Sequence, residues 1–165
     1  MFFNYNDSGH IQGMMQMSLK EKLLSDMKEA MKEKDVLRKN TIQSIRGAIL
    51  QQEKDTMKEI GEEQILDVIM SEIKKRKDAL IDFEKGHRPD LVDAANVEIA
   101  VLQGYLPAQL SEEELTALVR ETIQEVSAVS MKDMGKVMGV ITSKVKGKAD
   151  NSKVSSIVKQ CLAHQ

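Results

Sequence analysis

The sequence predicts an all-α protein: an N-terminal four-helix body followed by a three-helix C-terminal tail domain. Three observations carry that expectation. Apolar residues recur every three or four positions along most of the chain, the spacing of helices with one inward face. Helix-starting residues stand at the head of each such stretch. The chain also has only two prolines, no tryptophan, 3% aromatic residues and 11 methionines. A core without large rings must come from Leu, Ile, Val and Met, which suits helix-on-helix packing.

At 165 residues the chain has room for one domain or two small ones that lean on each other. Its hydrophobic share of 41% permits a true core and excludes disorder. No apolar run approaches the roughly 20 residues of a membrane-spanning helix. The single Cys161 rules out an internal disulfide, and a cytoplasmic location is expected. Residues 1–16 carry no Lys or Arg, lack helical periodicity and precede Met17-Ser18. They are read as an extension outside the fold.

Ser18 with Glu21 forms the reciprocal pattern that starts the first helix, whose stripe is Leu19, Leu23, Met27, Ala30 and Met31. The pattern restarts at Asp35 and runs to about Lys54 through Leu37, Thr41, Ile45, Ala48 and Ile49. Gly47 inside it costs about 0.5–1 kcal/mol relative to Ala, so a close helix contact is expected there. Glu62-Glu63 open the third helix, with Ile65, Val68, Ile69, Ile73, Leu80 and Phe83 inward and Lys85-Gly86 at its close. The basic run Lys74-Lys75-Arg76-Lys77 is read as a solvated face. Pro89 opens the fourth helix, which carries Leu91, Ala94, Ala95, Ile99, Leu102 and Tyr105 inward.

Pro107 biases Leu106 away from helix, which puts the boundary at residues 105–110. The body is therefore 17–107 and the tail 111–165, with a hinge between them and no second connection. Ser111 with Glu114 starts the fifth helix, lined by Leu115, Leu118, Val119, Ile123 and Val126. Ser130 and Asp133 cap the sixth, with Met134, Val137, Met138, Ile141 and Val145. Asp150 caps the seventh, with Val154, Ile157, Val158 and Cys161.

Charge sets the last quarter apart. From Ser130 to Gln165 there are seven lysines against Asp133 and Asp150, a local +5 in a chain of net charge −2. A basic segment on a neutral-to-acidic body points to a polyanion. The turn Lys144-Val145-Lys146-Gly147-Lys148 reads two ways. Its cations complement a helix C-terminus and Gly147 supplies a left-handed stop. Equally, several ammonium groups beside the start of the seventh helix can contact phosphates. The Asp150 carboxylate argues against an open anion site there, and the lack of tail aromatics argues against base stacking.

Catalytic signals are thin. Cys161 and His164 share a helical face, yet Cys161 continues an apolar stripe and is read as structural. His87 lies in a turn and His10 in the extension, so no cofactor or metal set is expected, and an independent enzyme is not expected.

Tyr105-Leu106-Pro107-Ala108-Gln109-Leu110-Ser111 with Glu114-Leu115, then Met134-Gly135-Lys136-Val137-Met138 and Lys146-Gly147-Lys148-Ala149-Asp150, resemble the GatB/YqeY family. The likeness is closest to the free-standing YqeY-like proteins and spans Met17 to about Leu162. It implies a two-part helical architecture akin to the C-terminal helical and tail region of GatB, a component of the glutamine-dependent tRNA amidotransferase. That region contacts the tRNA body, and similar tails occur on some glutaminyl-tRNA synthetases. The amidotransferase's kinase, transamidation and glutaminase chemistry lies elsewhere, and no part of this chain resembles it. Gly47 departs from the helix-favouring Ala anticipated at its position.

The resemblance and the charge together lead to one expectation: a tRNA-binding accessory module acting beside an amidotransferase or an aminoacyl-tRNA synthetase, without membrane contact. Lys136, Lys144, Lys146, Lys148 and Lys153 would meet phosphates, and Gly135, Gly139 and Gly147 would allow close approach. The alternative is a protein-interaction adaptor docking through Met131, Met134 and Met138.

Overall fold

The computed structural model describes residues 17–164, and among these all regular structure is helical. The helices are α1 (Leu19–Lys32), α2 (Val36–Thr56), α3 (Glu62–Lys85), α4 (Pro89–Gln103), α5 (Glu112–Glu125), α6 (Met134–Lys144) and α7 (Asn151–Ala163). A single 3-10 turn, Met131–Asp133, precedes α6. The expectation that residues 1–16 stand outside the fold falls outside the described residues.

Helix starts follow local chemistry. The Glu21 N–H donates to Ser18 Oγ at 3.2 Å while the Ser18 N–H donates back to Glu21. Ser111 and Glu114 repeat that exchange at the head of α5. Asp35 and Asp150 accept from the first turns of α2 and α7. Each cap satisfies N–H groups that have no partner inside the helix. Helix ends were less legible. Lys34, Met57, His87 and Ser127 all take left-handed backbone, whereas Gly86 caps the end of α3 at Lys85 as expected but with φ −82, the left-handed position falling on His87.

The helices bury two aliphatic clusters. In one, Leu23, Ile42, Ile45, Ile49, Ile60, Ile65, Ile69, Ile73, Ile99 and Leu102 meet where α1 packs on α2, α2 on α3 and α4, and α3 on α4. In the other, Leu115, Val119, Ile123, Val137, Ile141, Val145, Val154, Ile157, Val158 and Leu162 close over each other as α5, α6 and α7 pack pairwise. Burial of each such side chain contributes roughly 1.5–3 kcal/mol, which is how short, individually marginal helices persist. Among the described residues no helix is long and apolar enough to cross a membrane.

Polar ties sit at the edges of the first cluster. The Lys20 ammonium joins Glu53 of α2 and Glu59 of the following loop. The Tyr105 hydroxyl donates to Asp26 at 2.6 Å, and Lys22 stands both 3.2 Å from that carboxylate and 5.5 Å above the ring. Burial first, and then the Asp26 carboxylate, push the Tyr105 phenol well above its ordinary pKa.

Three expectations need correction. Met31 is exposed, while Leu23 and Ala30 are buried and Leu19 and Met27 pack partly buried against the cluster. Gly47 lies on an exposed face of α2 with nothing within 4 Å of where a Cβ would stand, so no close helix contact explains it. The basic run of α3 is only partly a solvated face. Lys74, Lys75 and Lys77 are exposed, but Arg76 lies across α3 and α4, donating to Glu72 at 2.8 Å and to Glu98 at 2.7 Å. Burial works against the Glu72 carboxylate, yet bonds from Lys75 and Arg76 outweigh it and hold its pKa below the usual range.

Two outcomes follow from this packing. Gly47→Ala should raise stability by about 0.5–1 kcal/mol, read as a higher urea midpoint with unchanged slope. Glu72→Gln should lower stability at pH 7 by about 1–3 kcal/mol, because Arg76 loses a charged partner. A depressed folded pKa contributes stability that is present above the unfolded value of about 4.3 and is lost as pH falls through the folded one. Urea titrations of both proteins at pH 7 and pH 3 should therefore show the gap between them closing in acid.

Candidate nucleic-acid interface

The segment 144–150 alternates. Val145, Gly147 and Ala149 are buried, while Lys144, Lys146 and Lys148 point outward to different degrees. Gly147 takes φ +73, a conformation that costs a side-chain-bearing residue about 1–2 kcal/mol. A Cβ at this position would stand 3.2 Å from Pro107 Cδ and 3.3 Å from Leu66 Cδ1. The glycine therefore lets the turn close onto the 105–110 connection and onto α3.

Hydrogen bonds continue that contact. The Leu110 N–H donates to the Lys148 carbonyl at 2.9 Å, and the Gln109 amide donates to the Gly147 carbonyl at 2.6 Å. Lys146 completes it with an ion pair to Asp67 of α3 at 3.0 Å. Asp67 first, with Glu63 more distantly, raises the Lys146 pKa. The hinge expected to have no second connection is thus bonded to the turn, because Pro107 offers an apolar ring as well as a helix break.

The anticipated site residues divide sharply. Lys144 is paired with Glu125 of α5 and Lys146 with Asp67, so both are engaged within the chain. Lys136 is exposed and only 3.8 Å from Asp133, a loose pair. Lys148 and Lys153 are exposed and, among the described residues, form no ion pair. Lys132 and Lys159 share that state. Gly135 and Gly139 lie on exposed positions of α6 with open space where a Cβ would be, so nothing among the described residues requires glycine there. At the start of α7 the Asp150 carboxylate accepts from the Ser152 N–H at 3.0 Å, the cap that argues against an open anion site there.

Residues that sequence reasoning missed are the partners: Leu66, Asp67, Gln109 and Glu125. No local signal marks an acid on one helix as the counterpart of a lysine on a distant turn. The basic character is also narrower than the last quarter suggests. Over 111–164 there are eight Lys and Arg against seven Asp and Glu, a net of +1, because α5 is acidic. Within the tail, all of the lysines lie on the 3-10 turn, α6, the 144–150 turn and α7, while α5 contributes the single Arg120. The sixth helix begins differently from expectation too: Ser130 caps the 3-10 turn, while Asp133 accepts from the N–H groups of Val129 and Ser130.

Cys161 and His164 line one open cavity of about 420 Å³ between α5 and α7, with Arg120, Gln124 and Gln160 around it. Cys161 is half-buried against the aliphatic cluster. Among the described residues no three His, Cys, Asp or Glu side chains converge as metal ligands would.

The packing role of Gly147 can be separated from that of its neighbours. Gly147→Ala should cost about 1–2 kcal/mol and expose residues 105–110 to protease. Gly139→Ala, in an open helical position, should be neutral or gain about 0.5–1 kcal/mol. Urea unfolding beside limited proteolysis of both variants reads the difference.

A family model described as Yqey-like protein matches residues 20–162. Similar curated proteins share one name, altered inheritance of mitochondria protein 41, mitochondrial. The one from Pyrenophora tritici-repentis is 29% identical over 138 residues, covering 82% of this chain and 75% of its own length. Those from Kluyveromyces lactis and Lachancea thermotolerans are 36% and 37% identical, each over 63% of this chain and 58% and 57% of their own lengths. The chain thus aligns with less than three fifths of these last two. Their names place these relatives in mitochondria, which overturns the cytoplasmic location expected here. A lone thiol excludes an internal disulfide but does not distinguish one reducing compartment from another.

Proposed function

The chain belongs to the Yqey-like protein family, and on that premise we propose that it is a tRNA-binding accessory module assisting a glutamine-dependent amidotransferase or a tRNA-charging enzyme. The two aliphatic clusters are read as two units, a body of residues 17–107 and a tail of residues 111–165. The tail carries the RNA contact. One observation supports this above the rest: Lys148 and Lys153 stand exposed without an ion-pair partner among the described residues, on a turn and helix held in place by buried contacts. Cations on a fixed frame lose little freedom when they meet phosphates, so more of their attraction appears as affinity.

Phosphate contact is assigned to Lys136, Lys148 and Lys153. Lys144 and Lys146 are already paired within the chain and are left out of that assignment. The adaptor alternative loses support, since Met134 and Met138 pack against the tail cluster and only Met131 is well exposed. A docking surface made from those three methionines is mostly spent on the fold.

Phosphate contacts release condensed counterions, so affinity must fall steeply with salt. With three contacts and a slope of about 0.7–0.9 each, raising salt from 50 to 200 mM should weaken tRNA binding by roughly 20- to 40-fold. Replacing Lys136, Lys148 and Lys153 together by Ala should flatten the slope by about two to three units. Fluorescence anisotropy with total tRNA, wild type beside triple variant, makes the measurement. Identical slopes would remove these lysines, and no binding at 50 mM salt would remove the RNA reading.

A further inference from the structure

The chain has five arginines. Arg38 pairs with Glu29 and Glu33, Arg76 with Glu72 and Glu98, and Arg88 with Asp90. Arg46 lies 3.5 Å from the Met27 sulfur. Among the described residues Arg120 alone forms neither an ion pair nor a hydrogen bond, although it sits on the acidic helix α5. It stands instead at the rim of the 420 Å³ cavity between α5 and α7. No Asp or Glu lines that cavity, in a chain with 26 of them.

The rest of the lining is equally specific in kind. Ile123 and Ile157, both buried, offer an apolar floor. Gln124 lies one helical turn from Arg120, and Gln160 faces them from α7, each bringing a carboxamide that both donates and accepts. An unpaired guanidinium suits a phosphate, which it can grip with two parallel bonds. Carboxamides suit the mixed donor and acceptor edge of a base, and an aliphatic floor suits its flat face. A volume of this size lies within the range of small-molecule sites.

We propose that the α5–α7 groove binds one nucleoside monophosphate unit, with Arg120 on the phosphate and Gln124 and Gln160 on the base edge. The place rests on the geometry of the groove, and the choice of ligand class rests on the RNA reading above. The unit comes either from a free mononucleotide or from an unstacked nucleotide of the bound RNA.

Cys161 is a reporter already in the groove, because an occupant covers its thiol. Its alkylation by N-ethylmaleimide is timed with AMP, GMP, CMP, UMP or inorganic phosphate present, and separately with total tRNA. At least one mononucleotide should slow the reaction about fivefold when present at about four times its Kd. Arg120→Ala should weaken that protection about 10- to 100-fold in Kd, the loss of a charged hydrogen bond. Gln160→Ala should narrow the differences among the four nucleotides. No protection at millimolar nucleotide, equal protection by inorganic phosphate, or undiminished protection of Arg120→Ala would each overturn the proposal. Protection by mononucleotides without any tRNA binding keeps the groove and removes the RNA reading. Binding of tRNA with Cys161 fully reactive and no effect of mononucleotides keeps the RNA reading and removes the groove.

Discussion

The contact on which the arrangement depends is the seating of Gly147 against Pro107 and Leu66. Without a Cβ, the turn approaches the 105–110 connection closely enough for two hydrogen bonds to form, Leu110 to Lys148 and Gln109 to Gly147. Those bonds satisfy backbone groups that would otherwise be left without partners at a crowded junction. Asp67 and Lys146 then meet as a consequence. An ion pair that is partly exposed contributes only about 0–1 kcal/mol, so it follows the docking and does not cause it.

This dependence explains what could be read from the sequence. Ser18 with Glu21, Ser111 with Glu114, Asp35 and Asp150 were legible because a cap and its target lie within three residues of each other. The inward stripes were legible because a single helix writes its own period. What failed was long-range. Arg76 looked like one more member of a basic run, and only the approach of α4 with Glu98 turns it inward. Gly147 was legible as a left-handed residue, though α6 ends before it at Lys144 with Val145 as the cap, and its neighbours Pro107 and Leu66 were not legible, since nothing local names them. Gly47 failed in the opposite sense: glycine suggested a close contact, and the fold has none there.

The candidate site was legible as charge and illegible as partnership. Seven lysines in the last quarter are plain in the sequence, but their availability is decided by acids elsewhere. Glu125 takes Lys144 and Asp67 takes Lys146, and neither acid belongs to the basic segment. Arg120 is the converse case. It sits among glutamates in sequence, and only the packing of α5 on α7 shows that it faces carboxamides and aliphatic carbon.

The paired lysines and the free ones are connected through the same weak energies. Lys144 and Lys146 are each about a third exposed, and their partners Glu125 and Asp67 more than half. Exchanging such a carboxylate for a phosphate trades one partly screened ion pair for another, at a cost of about 0–1 kcal/mol. The frame does not move in that exchange, because the turn is held by Gly147 and its backbone bonds. On the proposed reading, a polyanion reaching Lys148, which has no ion-pair partner among the described residues, would find Lys146 two residues away on a fixed scaffold, tied by a bond that costs little to replace. In the proposed RNA contact, docking and recognition would use one turn without opposing each other, since apolar contact does the first and charge would do the second.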